Sequence, residues 1–188
     1  MKAVALQKHE EQDTTEGRES ASFEETMLPH MDAAHNLARW LLRNEQDAQD
    51  VVQEAYLRAF KSFAGFHGFN GRAWLLTIVR NTSYNLMKKN RTVDLTTVFN
   101  EKIHVSDDDA VSPTTLLERT EDAGLVRRAM DQLSVELREI LVLRHLEGLS
   151  YNEIAEMAHL APGTVMSRLS RARGKLKENL GPHFNRER

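Results

Sequence analysis

The chain has no cysteine among its 188 residues. That removes a disulfide framework, a thiolate metal site and a cysteine nucleophile together. No apolar run approaches the roughly 20 residues of a membrane-spanning helix. Met1 to Glu25 is polar and acidic, with no signal-peptide core. A reducing, cytoplasmic setting without membrane insertion is therefore expected. Also missing are an internal repeat, a glycine-rich phosphate loop, a Gly-x-Ser-x-Gly elbow, a His-Glu-x-x-His pattern and a nucleotide-binding fingerprint. Carboxylates are plentiful but fall on helix faces or in tails, so an enzymatic reading has no anchor. No cofactor or metal is expected. The run Asp107-Asp108-Asp109 near His104 has nothing to fix its geometry and reads as solvated.

The net charge of −3 hides an alternation. Residues 1–26 carry three positive and seven negative groups, residues 27–93 nine and five, residues 94–122 two and eight, and residues 123–188 eleven and eight. Two mildly basic blocks are thus separated by an acidic connector and preceded by an acidic tail. That balance argues against a general DNA coater and for a protein whose basic faces are local.

Residues 148–177 hold the strongest local signal. Ser150 with Glu153 three positions on makes a capping box, and Leu149 with Ile154 makes a hydrophobic staple. Ile154, Ala155, Met157 and Ala158 supply the buried side of a short helix. Pro162 suits the first position of the next one. There Val165, Leu169, Ala172 and Leu176 form one apolar stripe. The other faces carry Thr164, Ser167, Arg168, Ser170, Arg171, Arg173, Lys175 and Lys177. Hydroxyls near the N-terminus with arginines behind them suit a helix in a DNA major groove, because arginine reads guanine edges bidentately. An Arg-rich helix alone would as readily be a solvated face; the capped helix and short turn before it favour a helix-turn-helix.

The remainder also reads as helix. Residues 1–22 have no apolar period and are expected to be disordered. A helix is expected from Phe23 to Arg43, with Pro29 marking a start or bend. Asp47 to Phe63 follows, with Val51, Val52, Ala55, Tyr56, Ala59, Phe60 and Phe63 inward. Asp47, Asp50, Glu54, Arg58 and Lys61 form a charged stripe, with Gln53 beside it. By periodicity this is a solvated face or a docking surface. Ala64 to Gly71 is a glycine- and aromatic-rich loop containing Phe66, His67, Phe69 and Asn70. Its aromatics either fold onto the core or take up an unstacked base. Arg72 to Asn90 is a helix with Leu75, Ile78, Val79, Thr82 and Leu86 inward. A second stripe is Trp74, Thr77, Asn81, Asn85 and Lys88, edged by Arg72, Arg80, Lys89 and Arg91. Residues 94–122 read as a linker, Ala123 to Leu133 as a helix, Ser134 as the cap of another running to Glu147, and residues 181–188 as a frayed tail.

Three stretches carry a family resemblance: Asp47 to Lys61, Arg72 to Asn81 and Gly163 to Arg173. In this order and spacing the chain resembles bacterial RNA polymerase sigma factors of the extracytoplasmic-function (ECF, group IV) type of the sigma-70 family. The three stretches resemble regions 2.2, 2.4 and 4.2. The resemblance implies an all-α fold of two small helical domains, a region 2 bundle at 23–93 and a region 4 helix-turn-helix at 123–180, joined by an acidic linker that threads the RNA channel. It implies that Asp47, Asp50, Gln53, Glu54 and Arg58 grip the β′ clamp of core RNA polymerase, whose β flap is a further partner. The loop with Phe66, His67, Phe69 and Asn70 would capture a flipped base of the minus-ten element. Arg72, Trp74, Asn81, Asn85 and Lys88 would lie along that element. Met166, Ser167, Ser170 and Arg171 would read the minus-thirty-five element in the major groove, with Thr164, Arg168, Arg173 and Lys175 on phosphate or supporting the fold. It further implies an anti-sigma partner and a stress or envelope response. The loop is one residue shorter than in many members, and Met166 stands where a basic residue is commoner. The rival reading is a stand-alone dimeric helix-turn-helix repressor or activator, whose dimer seam would need residues 47–61 to be apolar.

Overall fold

The structure, a computed structural model, describes residues 22–67, 70–94 and 115–184. The N-terminal tail up to residue 21, Gly68 and Phe69, linker residues 95–114 and residues 185–188 lie outside the described residues. Among the described residues the regular elements are all helical.

Helix α1 covers residues 22–27 and runs into a 3₁₀ turn, Leu28–His30, that contains Pro29. The single helix expected from Phe23 to Arg43 is therefore interrupted where proline lacks its N–H donor. Helix α2 (Met31–Leu42) ends at Arg43, which turns left-handed at φ 58°. Asn44 then caps α3 (Glu45–Ser62), its side-chain oxygen accepting the Asp47 N–H at 2.9 Å. Glu45, in the first turn of α3, reaches back to His35 (2.8 Å) and Arg39 (3.4 Å) on α2. Helix α4 is Gly71–Asp94. A Cβ at Gly71 would lie 3.2 Å from Thr26 and 3.3 Å from Met27, so glycine lets α4 start close against α1.

Helices α2, α3 and α4 pack on one another through Leu37 and Leu41, Val51, Ala55 and Ala59, and Leu75, Leu76 and Val79. Each large apolar side chain buried this way contributes about 1.5–3 kcal/mol. Small alanines at the α3 seam let the helices approach. Tyr56 ties α3 to α1 by donating to Met27 O at 2.9 Å, and burial pushes its hydroxyl pKa up to about 12.

The second bundle begins with α5 (Thr115–Asp131), which starts earlier than the expected Ala123. Helix α6 (Val135–Leu141) continues as a π-helical turn, Val142–Leu146. Ser134 has the extended backbone of an N-cap, but its hydroxyl makes no capping bond, contrary to the role expected of it. Gly148, at φ +68°, reverses the chain. Helix α7 (Tyr151–Ala158) has the full capping box: Ser150 Oγ accepts the Glu153 N–H at 3.2 Å, and Glu153 Oε2 accepts the Ser150 N–H at 2.7 Å. His159, left-handed at φ 54°, closes α7 before Pro162 opens α8 (Pro162–Phe184). Helix α8 continues past residue 181, where fraying was expected.

The two bundles share one continuous core. Helix α2 packs on α6 and its π-helical turn, and α4 packs on α7. Among the described residues no helix is long and apolar enough to cross a membrane.

Candidate nucleic-acid interface

Three surfaces carry the residues singled out in the sequence. On α8, Val165, Leu169 and Ala172 are buried, which turns the opposite side outward. Met166, Ser167, Ser170, Arg171, Arg173 and Lys175 are exposed there. Thr164 and Arg168 are half-buried on the flank, and the Arg168 charge weakly lowers the pKa of Glu139. Ser167 Oγ donates to Thr164 O at 3.0 Å. Arg173 contacts His145 Nε2 at 3.1 Å, and burial and then Arg173 lower the imidazole pKa, which keeps that nitrogen an acceptor. Met166, Ser170 and Arg171 are thus presented outward, while Arg173, also exposed, contacts His145 and Arg168 is half-buried.

On α3, Asp50, Gln53, Glu54 and Arg58 are exposed and Asp47 is half-buried. Glu54 and Arg58 pair at 2.7 Å with both side chains about half exposed. An exposed i,i+4 pair of this kind is worth roughly 0.3–0.5 kcal/mol, too little to explain the stripe as a stability device. Leu57 (57% exposed) and Phe60 (50%) stand among these groups. Phe60 was expected inside; it packs edge-on against Phe23 (5.2 Å) but leaves half its surface outward. The stripe is therefore an apolar centre with a charged rim. The charge pattern alone does not reveal that centre, because the apolar period runs straight through Phe60.

The third surface is α4 and the loop before it. Phe66 folds back: its ring stacks on Phe63 at 5.9 Å and lies 4.9 Å from Trp74. Of the loop's aromatics, Phe66 and the exposed His67 are described. Asn81, Asn85 and Lys88 are exposed along α4. Asn70 caps α4 by accepting the Ala73 N–H at 3.0 Å. Phe66, Trp74 and Asn70 line a cleft of about 470 Å³ whose far wall is Glu153, Glu156 and Met157 of α7.

One flank of α4, with the Asn70 cap, is engaged by the second bundle. Arg72 pairs with Glu147, which also accepts from Asn36. Asn70 donates to Glu153. Arg80 pairs with Glu139, whose other oxygen accepts the Tyr84 hydroxyl at 2.9 Å. Glu139 is 2% exposed; burial pushes its pKa up, and Arg80 and Tyr84 pull it back. Burial and then Glu139 push the Tyr84 hydroxyl upward. Tyr84, Glu139 and Glu147 were not candidate site residues, and Arg80 was expected only as a cation at the edge of the α4 stripe. Their partners lie far away in the chain, and no helical period links them.

Residues 27–93 match the family described as Sigma-70 region 2, and residues 123–176 match Sigma-70, region 4. The ECF RNA polymerase sigma-E factor of Escherichia coli K12 is 33% identical over 147 residues, covering 74% of this chain and 77% of the relative. The chain belongs to the ECF sigma factors of the sigma-70 family. The ECF RNA polymerase sigma factor SigE of Mycolicibacterium smegmatis is 29% identical over 86% of this sigma factor, which spans 63% of the relative's length. In solved structures this sigma factor is similar to RpoE of Bartonella quintana, seen in complex with the anti-sigma factor NepR. The TM-score is 0.72 at 31% identity, over 85% of this chain and 97% of that one. Sigma factors are initiation factors with no catalysis of their own, consistent with a site built of docking and reading surfaces.

Proposed function

We propose that this sigma factor docks core RNA polymerase through α3 and lends it two DNA readers. Asp47, Asp50, Gln53, Glu54 and Arg58 meet the β′ clamp around the apolar centre of Leu57 and Phe60. The second bundle lies toward the β flap. Met166, Ser167, Ser170 and Arg171 read the minus-thirty-five duplex, with Thr164, Arg168, Arg173 and Lys175 on phosphate or fold support. Arg72, Trp74, Asn81, Asn85 and Lys88 follow the melted minus-ten strand, and the loop with Phe66, His67, Phe69 and Asn70 receives its flipped base. The factor works in the cytoplasm, where the polymerase is. An anti-sigma protein holds it inactive, as the complex of the Bartonella relative suggests.

The observation that carries this reading is the division of α8: a buried apolar stripe behind an outward row of Met166, Ser167, Ser170 and Arg171. Flipping a base out of a duplex costs a few kcal/mol, and stacking returns about 1–3 kcal/mol per base. Melting therefore needs both readers and the clamp acting together. Run-off transcription with core polymerase on a promoter library tests it. Factor-dependent transcripts sharing two spaced upstream elements are the expected result. No transcripts, with a palindromic duplex shifted by the factor alone, would favour a dimeric repressor.

A further inference from the structure

Helix α8 turns one large apolar side chain outward. Val165, Leu169 and Ala172 are buried and Leu176 is half-buried, whereas Met166 is 52% exposed. Met27, Met130 and Met157, by contrast, fill the core. Met166 is the fifth residue of α8. It lies in the N-terminal part of the helix, the part that meets base edges when such a helix enters a major groove. Its neighbours on that face are small: Gly163 three positions before it and the exposed Ser170 four positions after. A Cβ at Gly163 would meet nothing within 4 Å, so the space beside the thioether is open.

A thioether donates no hydrogen bond and accepts only weakly. It has nothing to offer the paired acceptors of guanine, and it matches the amino donors of cytosine and adenine poorly. Thymine alone carries an apolar group, the C5-methyl, on its major-groove edge. Set against that methyl, Met166 takes apolar surface of both partners out of water. Set against any other edge, it covers polar atoms that it cannot satisfy. Ser170 and Arg171, one turn further on, supply the donors that Met166 lacks.

We propose that Met166 selects thymine, through its 5-methyl group, at one base pair of the minus-thirty-five element. The proposal rests on the assignment of α8 to that element. Arg171 is five residues further on, about 7.5 Å along the helix axis, which places the selected thymine within about two base pairs of the pair that Arg171 reads.

Holoenzyme binding to a factor-dependent promoter tests this. Each thymine of the upstream element, on either strand, is replaced singly by deoxyuridine, which lacks only the methyl group. One replacement, close to the pair whose preference Arg171→Ala relaxes, should weaken binding about fourfold, the equivalent of one methyl group removed from an apolar contact. In Met166→Ala the same replacement should make no difference, so that the two changes are coupled rather than additive. Met166→Arg should move the preference at that base pair to guanine, which a guanidinium reads bidentately. Because Met166 is exposed, both variants should keep the helical circular dichroism and melting temperature of the unsubstituted chain. The proposal is overturned if no deoxyuridine weakens binding, or if the loss persists in full in Met166→Ala, which would assign the methyl effect to the DNA itself or to another residue. An element with no thymine in that window overturns it as well. If the promoter is transcribed but neither Met166→Ala nor Arg171→Ala changes the preference at any upstream base pair, the assignment of α8 has failed and the proposal falls with it.

Discussion

The side-chain amide of Asn70 donates to Glu153, and each residue helps cap its own helix. Asn70 holds the first turn of α4 through the Ala73 N–H, and Glu153 completes the capping box of α7. One hydrogen bond thus joins the first turn of α4 to that of α7, the helix that precedes the proposed minus-thirty-five reader α8. Capping groups are fixed by their own helices, so the contact transmits the orientation of one helix to the other.

The Glu153 carboxyl sits below its ordinary pKa, held there first by its hydrogen bonds with Ser150 and then, more weakly, by Asn70. A depressed folded-state pKa contributes stability that is present above the ordinary value and lost as pH falls through the lowered one. Thermal melts across mildly acidic pH should therefore show falling stability in that window. Glu153→Gln, which keeps the capping geometry, should flatten that part of the profile. An unchanged slope would remove Glu153 as its source.

The helices and the helix-turn-helix were legible in the sequence because they rest on local rules: a box at Ser150 and Glu153, a staple at Leu149 and Ile154, a stripe from Val165 to Ala172. The break at Pro29 was legible as a position but not as a 3₁₀ turn. Ser134 has the right residue type and backbone for a cap, but its hydroxyl makes no capping bond. Phe60 obeys the apolar period yet leaves half its surface outward, because Phe23 covers only one side of it. Least legible was the seam. Arg80 meets Glu139, and Arg72 meets Glu147, across long stretches of chain, and those pairings depend on how two bundles dock.

Glu54→Lys should abolish polymerase binding while leaving the melting temperature nearly unchanged, because the exposed Glu54–Arg58 pair contributes so little to the fold. Leu57→Asp should weaken binding as well, by charging the apolar centre of the patch. Pull-down with core polymerase alongside thermal melts checks both. Full retention of affinity by Glu54→Lys would sink the docking assignment of α3.

Arg171→Ala should cost about 1–3 kcal/mol on the cognate upstream element and relax preference at one base pair. Arg173→Ala, whose guanidinium already contacts His145, should weaken binding more evenly across sequences. Holoenzyme affinities on single-base variants of the element distinguish the two. An even loss for Arg171→Ala would demote it to a phosphate contact.

Arg138 is 4% exposed, its Nε has no hydrogen-bond partner and its nearest carboxylate, on Asp131, is 3.7 Å away. Burial, and then the Arg43 charge, lower its pKa to about 10, with Asp131 pulling back. A guanidinium so poorly compensated is replaceable: Arg138→Met should be neutral or stabilising, by about 1 kcal/mol or more, read as a raised melting temperature. A loss of several degrees would mean that the guanidinium is better satisfied in solution than its contacts indicate.

The claim at the centre of this account is that the two reading surfaces act on one promoter, one on duplex and one on melted strand, and only when mounted on polymerase. Footprinting a factor-dependent promoter tests it most directly, with thymine reactivity to permanganate measured in parallel. The account predicts protection upstream together with reactive, unpaired thymines downstream, both requiring core polymerase and the upstream protection lost with Arg171→Ala. Protection of a palindromic duplex by the factor alone, with no unpaired thymine at any polymerase concentration, would contradict it.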